Sequence, residues 1–158
     1  MDDLSIRPAV EQDLPEVAAA WRLLQNFHAS LGLAFSLQDD SQEKWLASFQ
    51  RTLGRYSFLW IVRQDELLRA FLLARIKQSP SFLGGVQVGE ISDLYVDDSL
   101  RGSGIGSRLV EAAIQKFEEQ KVHSVEVQIQ AGNDGGLTFW QKLGFKPDIT
   151  LVRKVLSR

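Results

Sequence analysis

The stretch from residue 90 to residue 119 constrains this chain more than any other. A strand-like run, residues 90–96, is followed after a short interval by Arg101-Gly-Ser-Gly-Ile-Gly106, and then by a helical pattern. Ile105, Leu109, Ala113 and Phe117 recur at four-residue steps, with Val110 and Ile114 widening the stripe. Glycine lets a backbone approach a ligand closely, and the first N–H groups of a helix have no acceptor inside it. Together with the helix dipole, they make a site that suits a phosphate.

Known glycine loops narrow the choice. A P-loop requires a lysine directly after its last glycine, and Ser107 follows Gly106. A dinucleotide fold requires G-x-G-x-x-G, and counting from Gly102 the sixth position is again Ser107. Two readings stay open: a tight turn in which glycines permit close packing, and an anion loop of the form R-x-x-G-x-G.

The rest of the chain frames that unit. A short first strand, residues 5–8, is stopped by Pro8. Leu14, Val17, Ala18, Trp21, Leu24 and His28 then recur at helical spacing, with Asp13 as the expected N-cap. A second helix is expected over 41–53, with Trp45, Phe49 and Leu53 on one face. Residues 57–63 and 67–77 read as a hairpin turning at Gln64-Asp65-Glu66. In 124–129, Val125, Val127 and Ile129 alternate with polar residues, so one face of that strand is buried. Asn133-Asp134 opens a last helix carrying Leu137, Trp140 and Leu143, closed by Gly144. A final strand is expected over 149–156. The predicted order is β-α-α-β-β-β-α-β-α-β, one α/β domain over 1–158 with a mostly antiparallel first half. The step from 90–96 through the helix to 124–129 should form a parallel crossover.

Composition excludes several chemistries. The chain has 158 residues and no cysteine, so disulfides, thiolate metal sites and a cysteine nucleophile are ruled out. His28 and His123 lie far apart without carboxylates at ligand spacing, so no metal site is expected. No apolar run is long enough for a membrane span, and Met1-Asp2-Asp3 lacks the basic start of a signal peptide. A cytoplasmic protein is expected. A net charge of -2 argues against nucleic acid as a partner. Residues 1–50 hold eight acids against three bases, and the remainder twelve against fifteen. That asymmetry suits a cationic acceptor beside an anionic cofactor, and equally suits ordinary surface variation.

The run Leu94-Tyr95-Val96, with Arg101-Gly-Ser-Gly-Ile-Gly106 after it, resembles the acetyl-CoA signature of the GNAT superfamily of N-acetyltransferases. Asn133 followed by Phe139-Trp140-Gln141-Lys142-Leu143-Gly144-Phe145 resembles that superfamily's second motif, in which an Asn precedes a helix ending F-Y-x-K-x-G-F. The opening Ile6-Arg7-Pro8, then Asp13-Leu14-Pro15, is similar to the first strand and helix of many members. The resemblance spans nearly the whole chain and is densest over 90–145. It implies a mixed central sheet of about six to seven strands flanked by four helices. It also implies acetyl transfer from acetyl-CoA to a primary amine of a small molecule or protein. A non-catalytic acyl-CoA-binding sensor is the alternative, and a homodimer is left open.

The resemblance also assigns roles. The strand over 90–96 would carry a bulge and splay from its parallel neighbour, exposing an edge to pantetheine. The Leu94 N–H would polarise the thioester carbonyl, Val96 would bond a pantetheine amide, and Tyr95 lies between them. Arg101, Gly102, Ser103, Gly104, Ile105 and Gly106 would wrap the pyrophosphate, and Asn133 would reach the pantetheine arm or cap its helix. Two positions depart from the pattern. Ser92-Asp93 stands where many relatives carry Glu-Asp, so Glu90, expected on the same face as Ser92, becomes the candidate base acting through water, and Asp93 a structural or catalytic carboxylate. Trp140 replaces the usual tyrosine acid, and an indole N–H is no acid near neutral pH. Its ring is expected to line the thioester cleft or to pack in the core.

Overall fold

The computed structural model describes residues 4–156; Met1-Asp2-Asp3, on which the signal-peptide argument bears, lies outside them. Five strands form one sheet in the order β1-β2-β3-β4-β5, where β1 is Ile6–Pro8, β2 Ser57–Gln64, β3 Leu67–Gln78, β4 Gln87–Val96 and β5 Val125–Val127. The first four pair antiparallel and β5 joins β4 in parallel. The helices are α1 (Leu14–Ser30), α2 (Ser41–Gln50), α3 (Ile105–Glu119) and α4 (Asp134–Lys142).

Strand alternation divides the core in two. Ala70, Leu72 and Ala74 of β3 face α3 and α4, with Ile91, Ile105, Leu109, Ala113, Phe117 and Trp140. Phe71 and Leu73 face α1 and α2, with Val17, Trp21, Trp45 and Phe49. The period-four stripe read from the sequence of α3 is therefore its buried face. Each large apolar side chain fully buried there is worth about 1.5–3 kcal/mol. The crossover fits tightly where β4 begins to pair with β5. A Cβ on Gly89 would stand 2.8 Å from the Phe117 ring.

Several expectations are corrected. The described residues hold five strands, not six or seven. Residues 149–156 are not a strand: none of the strands among the described residues pairs with them, and their apolar side chains face solvent, Ile149 and Val152 at 87% exposure. Of the strand expected over 124–129, Val125–Val127 forms strand, with the Ser124 carbonyl just before it accepting from the Gly89 N–H at 2.8 Å. α2 stops at Gln50, and Leu53 instead makes an isolated bridge with Ser57. Asp13 does not cap α1 with its side chain. Its carboxylate is buried and accepts from Arg7 at 2.8 and 3.0 Å, from Arg63 at 2.9 and 3.2 Å, and from the Val10 N–H. Two arginines outcompete the cap because charge-assisted bonds are the stronger ones. The hairpin turns as expected, with Asp65 and Glu66 both at positive φ.

Candidate functional site

The site is built around a bulge. Leu73 lies opposite Asp93, while the next residue, Ala74, lies opposite Ile91, so Ser92 has no counterpart on β3. The Ser92 hydroxyl donates to the Leu73 carbonyl at 3.3 Å. An extra residue reverses the alternation beyond it. Ile91 therefore packs toward α3, whereas Asp93 and Tyr95 turn toward α1 and α2, and Leu94 and Val96 return to the α3 side. Two-residue counting from Ile91 therefore fails at Asp93, which lies on the opposite face.

The bulge coincides with a split. β4 and β5 pair at Gly89–Val125, Glu90–Glu126 and Ile91–Val127, and at no later position. Beyond Ile91 the backbone groups of β4 that turn toward β5 meet no strand. An extended ligand carrying amides could pair there as a strand would.

At the far end of β4 the chain turns into the anion cradle. Asp97 accepts from the Ser99 N–H at 2.9 Å and the Ser99 hydroxyl at 2.6 Å, fixing a short helical turn whose Leu100 is buried. Gly102 and Gly104 both take left-handed backbone, φ 77° and 84°. A Cβ at either would meet no protein atom within 4 Å, so packing is not the reason for glycine there. Gly106 differs: its missing side chain lets the Phe139 ring approach, at 3.4 Å from where a Cβ would be. The Arg108 N–H bonds to the Gly104 carbonyl, which leaves the N–H groups of Ile105, Gly106 and Ser107 without helical acceptors. Among the described residues only the first has a partner, the Ser103 hydroxyl at a long 3.4 Å. These donors at the positive end of α3 fit a pyrophosphate. Arg101 beside them is exposed and paired with Asp98 at 3.1 Å.

On the opposite face of β4, Asp93 stands near the stacked indoles of Trp21 and Trp45, whose ring centres are 4.9 Å apart. Burial pushes the Asp93 carboxyl up. The Ser92 hydroxyl, the two indoles and the Arg75 charge oppose that shift without cancelling it. Arg75, a residue sequence reasoning missed, spans from β3 to the Ser48 hydroxyl at 3.1 Å, over the Phe49 ring. A cation inside a mostly apolar strand was the available signal. Glu90 is placed differently. It lies where β4 and β5 are still paired, 3.0 Å from Lys77, and Lys77 also holds Glu126. Tyr95 stacks on Phe71 and, with Asp97, Leu68, Glu16 and Leu23, lines a recess of about 350 Å³ beneath α1.

The remaining predicted residues scatter. Asn133 caps α4, accepting from the Gly136 N–H at 3.0 Å. Trp140 packs edge-on between Phe139 and Phe145 in the core and is 6% exposed. Of the aromatic residues on and between the first two helices, Trp21, Trp45 and Phe49 are buried, while Phe27 and Phe35 are exposed. Among the described residues no group of His, Asp or Glu is clustered as metal ligands are, and no helix is long and apolar enough to cross a membrane.

A parallel strand pair that splits toward a helix N-terminus sets an open strand edge beside N–H groups that have no helical acceptor. The chain belongs to the acetyltransferase (GNAT) family, whose model matches residues 20–145. It is 34% identical over 145 residues to the L-methionine sulfoximine/L-methionine sulfone acetyltransferase of Pseudomonas aeruginosa, covering 90% of this chain and 80% of that one. It is 27% identical over 104 residues to the uncharacterized N-acetyltransferase MJ1207 of Methanocaldococcus jannaschii, of whose length the match spans 45%. A match to the mycothiol acetyltransferase of Paenarthrobacter aurescens spans 18% of that protein. The chain thus spans less than half of those two relatives. Among solved structures, a tetramutant of the BH1408 protein from Bacillus halodurans superposes with a TM-score of 0.82 at 26% identity, covering 96% of this chain and 99% of that one.

Proposed function

We propose that this chain transfers the acetyl group of acetyl-CoA to a primary amine by direct attack. The observation that carries the reading is the split of β4 from β5 beyond Ile91 and Val127, running toward the free N–H groups that open α3. Acetyl-CoA, when bound, supplies an activated acetyl group and a thiol leaving group. The residues present fit it: the cradle from Arg101 to Gly106 takes the pyrophosphate, and the open edge of β4 over Leu94, Tyr95 and Val96 takes the pantetheine. Asn133 stands at the start of the neighbouring helix, and Trp140 backs the motif from the core. A Leu94 N–H aimed at the thioester oxygen would contribute roughly 2.7–4 kcal/mol of barrier lowering if preorganised.

An ammonium must lose a proton before it attacks, and Asp93 is the better candidate to receive it. A carboxylate raised by burial is a stronger base than a solvated one. Glu90, the candidate the sequence favoured, is held by Lys77 at the closed end of the split, about 13 Å of strand from Leu94. The relative from Pseudomonas aeruginosa is named for amino-acid acceptors, which favours a small-molecule amine over a protein.

The non-catalytic sensor keeps one observation in its favour: Trp140 is buried where the family motif carries a phenol. Two measurements separate the readings. A thermal shift with acetyl-CoA, and none with NADH or ATP, is expected from either, because a ligand that binds only the native state stabilises it. Release of free CoA with a panel of small amines is expected from the enzyme alone. Cofactor binding without any release would establish the sensor, and no shift with acetyl-CoA would overturn the cradle assignment.

A further inference from the structure

The register of β4 with β5 covers three residue pairs, and the middle pair sets two carboxylates side by side. Glu90 stands opposite Glu126, between the pairs Gly89–Val125 and Ile91–Val127. Ile91, Val125 and Val127 pack into the α3 core, and Gly89 meets Phe117 there. Both glutamates therefore turn to the other face of the sheet. Like charges directly opposite each other weaken a strand pair. The pairing ends one residue later, where the cleft opens.

A residue of neither strand relieves that repulsion. Lys77 lies on β3 opposite Val88, and its neighbour Ile76 packs toward α3, which turns Lys77 to the glutamates' face. Its ammonium is 3.0 Å from Glu90 and, reaching across β4, also holds Glu126. Among the described residues it is the one cation ion-paired with either carboxylate. The Glu126 bond raises the Lys77 pKa, burial opposes the rise and Glu90 adds to it, so the lysine stays charged. An exposed ion pair by itself contributes little, and the Lys77 side chain is 47% exposed. Here the same charge also cancels a repulsion, at the last turn of the seam before it parts. On the opposite face the seam is held by apolar packing, which is not directional and does not fix the last pair.

We propose that Lys77 is a positioning residue for acetyl-CoA, bridging Glu90 and Glu126 so that β4 stays joined to β5 as far as Ile91 and Val127. The proposal rests on the acetyl-CoA reading, and the lysine acts on the ligand through the strands. With the ammonium removed, the two carboxylates repel one pair from the end of the seam, and the last pairs fray. The open edge over Leu94, Tyr95 and Val96 then loses its frame. A frayed seam binds the cofactor poorly, so the apparent affinity falls with the fraction of molecules in which the seam is closed.

Two readouts test this: hydrogen exchange at the amides of Val125–Val127 without ligand, and acetyl-CoA affinity by calorimetry. Lys77→Met should speed that exchange and weaken binding, each by about five-fold, as expected when an ion pair is lost and a like-charge pair is left unrelieved. Lys77→Arg should match the intact chain. The double variant Lys77→Met, Glu126→Gln should recover both values, because one carboxylate has nothing to repel. Should Lys77→Met alone fail to fold, the double variant is compared with Glu126→Gln, and the two should agree. A lysine that merely stabilised the fold would lower the melting temperature, leave affinity well below that temperature unchanged, and gain nothing from loss of Glu126. Unchanged exchange and affinity in Lys77→Met would overturn the proposal, as would a defect that persists in the double variant. If the intact chain does not bind acetyl-CoA, the cofactor reading fails and this proposal with it; if it binds and Lys77→Met binds equally well, this proposal alone fails.

Discussion

Leu73 of β3 is paired with Asp93 of β4, although its neighbour Ala74 is paired with Ile91. That one-residue offset at Ser92 turns the Asp93 carboxyl away from the α3 core and into the aromatic cluster of Trp21 and Trp45. It also falls where β4 and β5 part, so the reversal of faces and the opening of the cleft are one local event. Without the bulge, Asp93 would share a face with Ile91 and bury a carboxylate among aliphatic side chains, at a cost of several kcal/mol.

Replacement of Asp93 by Asn should therefore lower kcat by about 100-fold or more, the usual range for a lost general base, with little change in acetyl-CoA affinity. Glu90→Gln should change kcat by less than about three-fold. The Asp93 pKa is raised, so the wild-type rate should climb with pH through a limb above the ordinary carboxylate range. The Asn variant should lack that limb. An unchanged pH–rate profile in Asp93→Asn would remove Asp93 as the base.

Gly104→Glu should abolish stabilisation by acetyl-CoA in a thermal-shift titration while the protein still folds. The positive φ at Gly104 costs any side chain about 1–2 kcal/mol, and the added carboxylate would stand where phosphate is expected. Undiminished cofactor binding would sink the cradle assignment.

The Gly89 contact with Phe117 makes a purely structural prediction. Gly89→Ala should destabilise the fold by about 1–3 kcal/mol in urea titration, because the 2.8 Å contact forces the ring or the strand to move. Phe117→Leu in the same chain should recover part of that loss. The coupling between the two changes, read from a double-mutant cycle, measures how tightly α3 is seated on β4.

Asp13 should dominate the acid limb of stability. Arg7 and then burial, the Val10 N–H and Arg63 act on its carboxyl, and the net effect holds it well below the usual range. A depressed folded pKa means the stabilisation is complete above the unfolded value, near 3.9, and is lost as pH falls toward the folded one. Asp13→Asn should cost about 1–3 kcal/mol at pH 7, below the range for fully buried pairs because both arginines keep solvent contact. That difference should shrink as both proteins are melted at pH 4 and then 3. Asp93 has the opposite sign: its raised pKa favours the fold below the unfolded value, and that contribution is lost as pH rises through the folded one.

Local rules carried much of this protein. The four-residue stripe of Ile105, Leu109, Ala113 and Phe117 determines the buried face of α3, because helical geometry repeats wherever the helix sits. Gly102 and Gly104 determine a loop that only glycine enters easily, and Asn133 determines the start of α4, because turns and caps are closed by neighbours in the chain. What depends on distant partners was decided by the tertiary structure. Alternation along β4 could be counted from the sequence, but the bulge at Ser92 is set by its register with β3 and moves Asp93 to the other face. Asp13 has the composition of an N-cap, yet Arg63, fifty residues away, claims its carboxylate. The apolar pattern of residues 149–156 is that of a strand, but a strand needs an adjacent edge to bond to, and none of the strands among the described residues pairs with it.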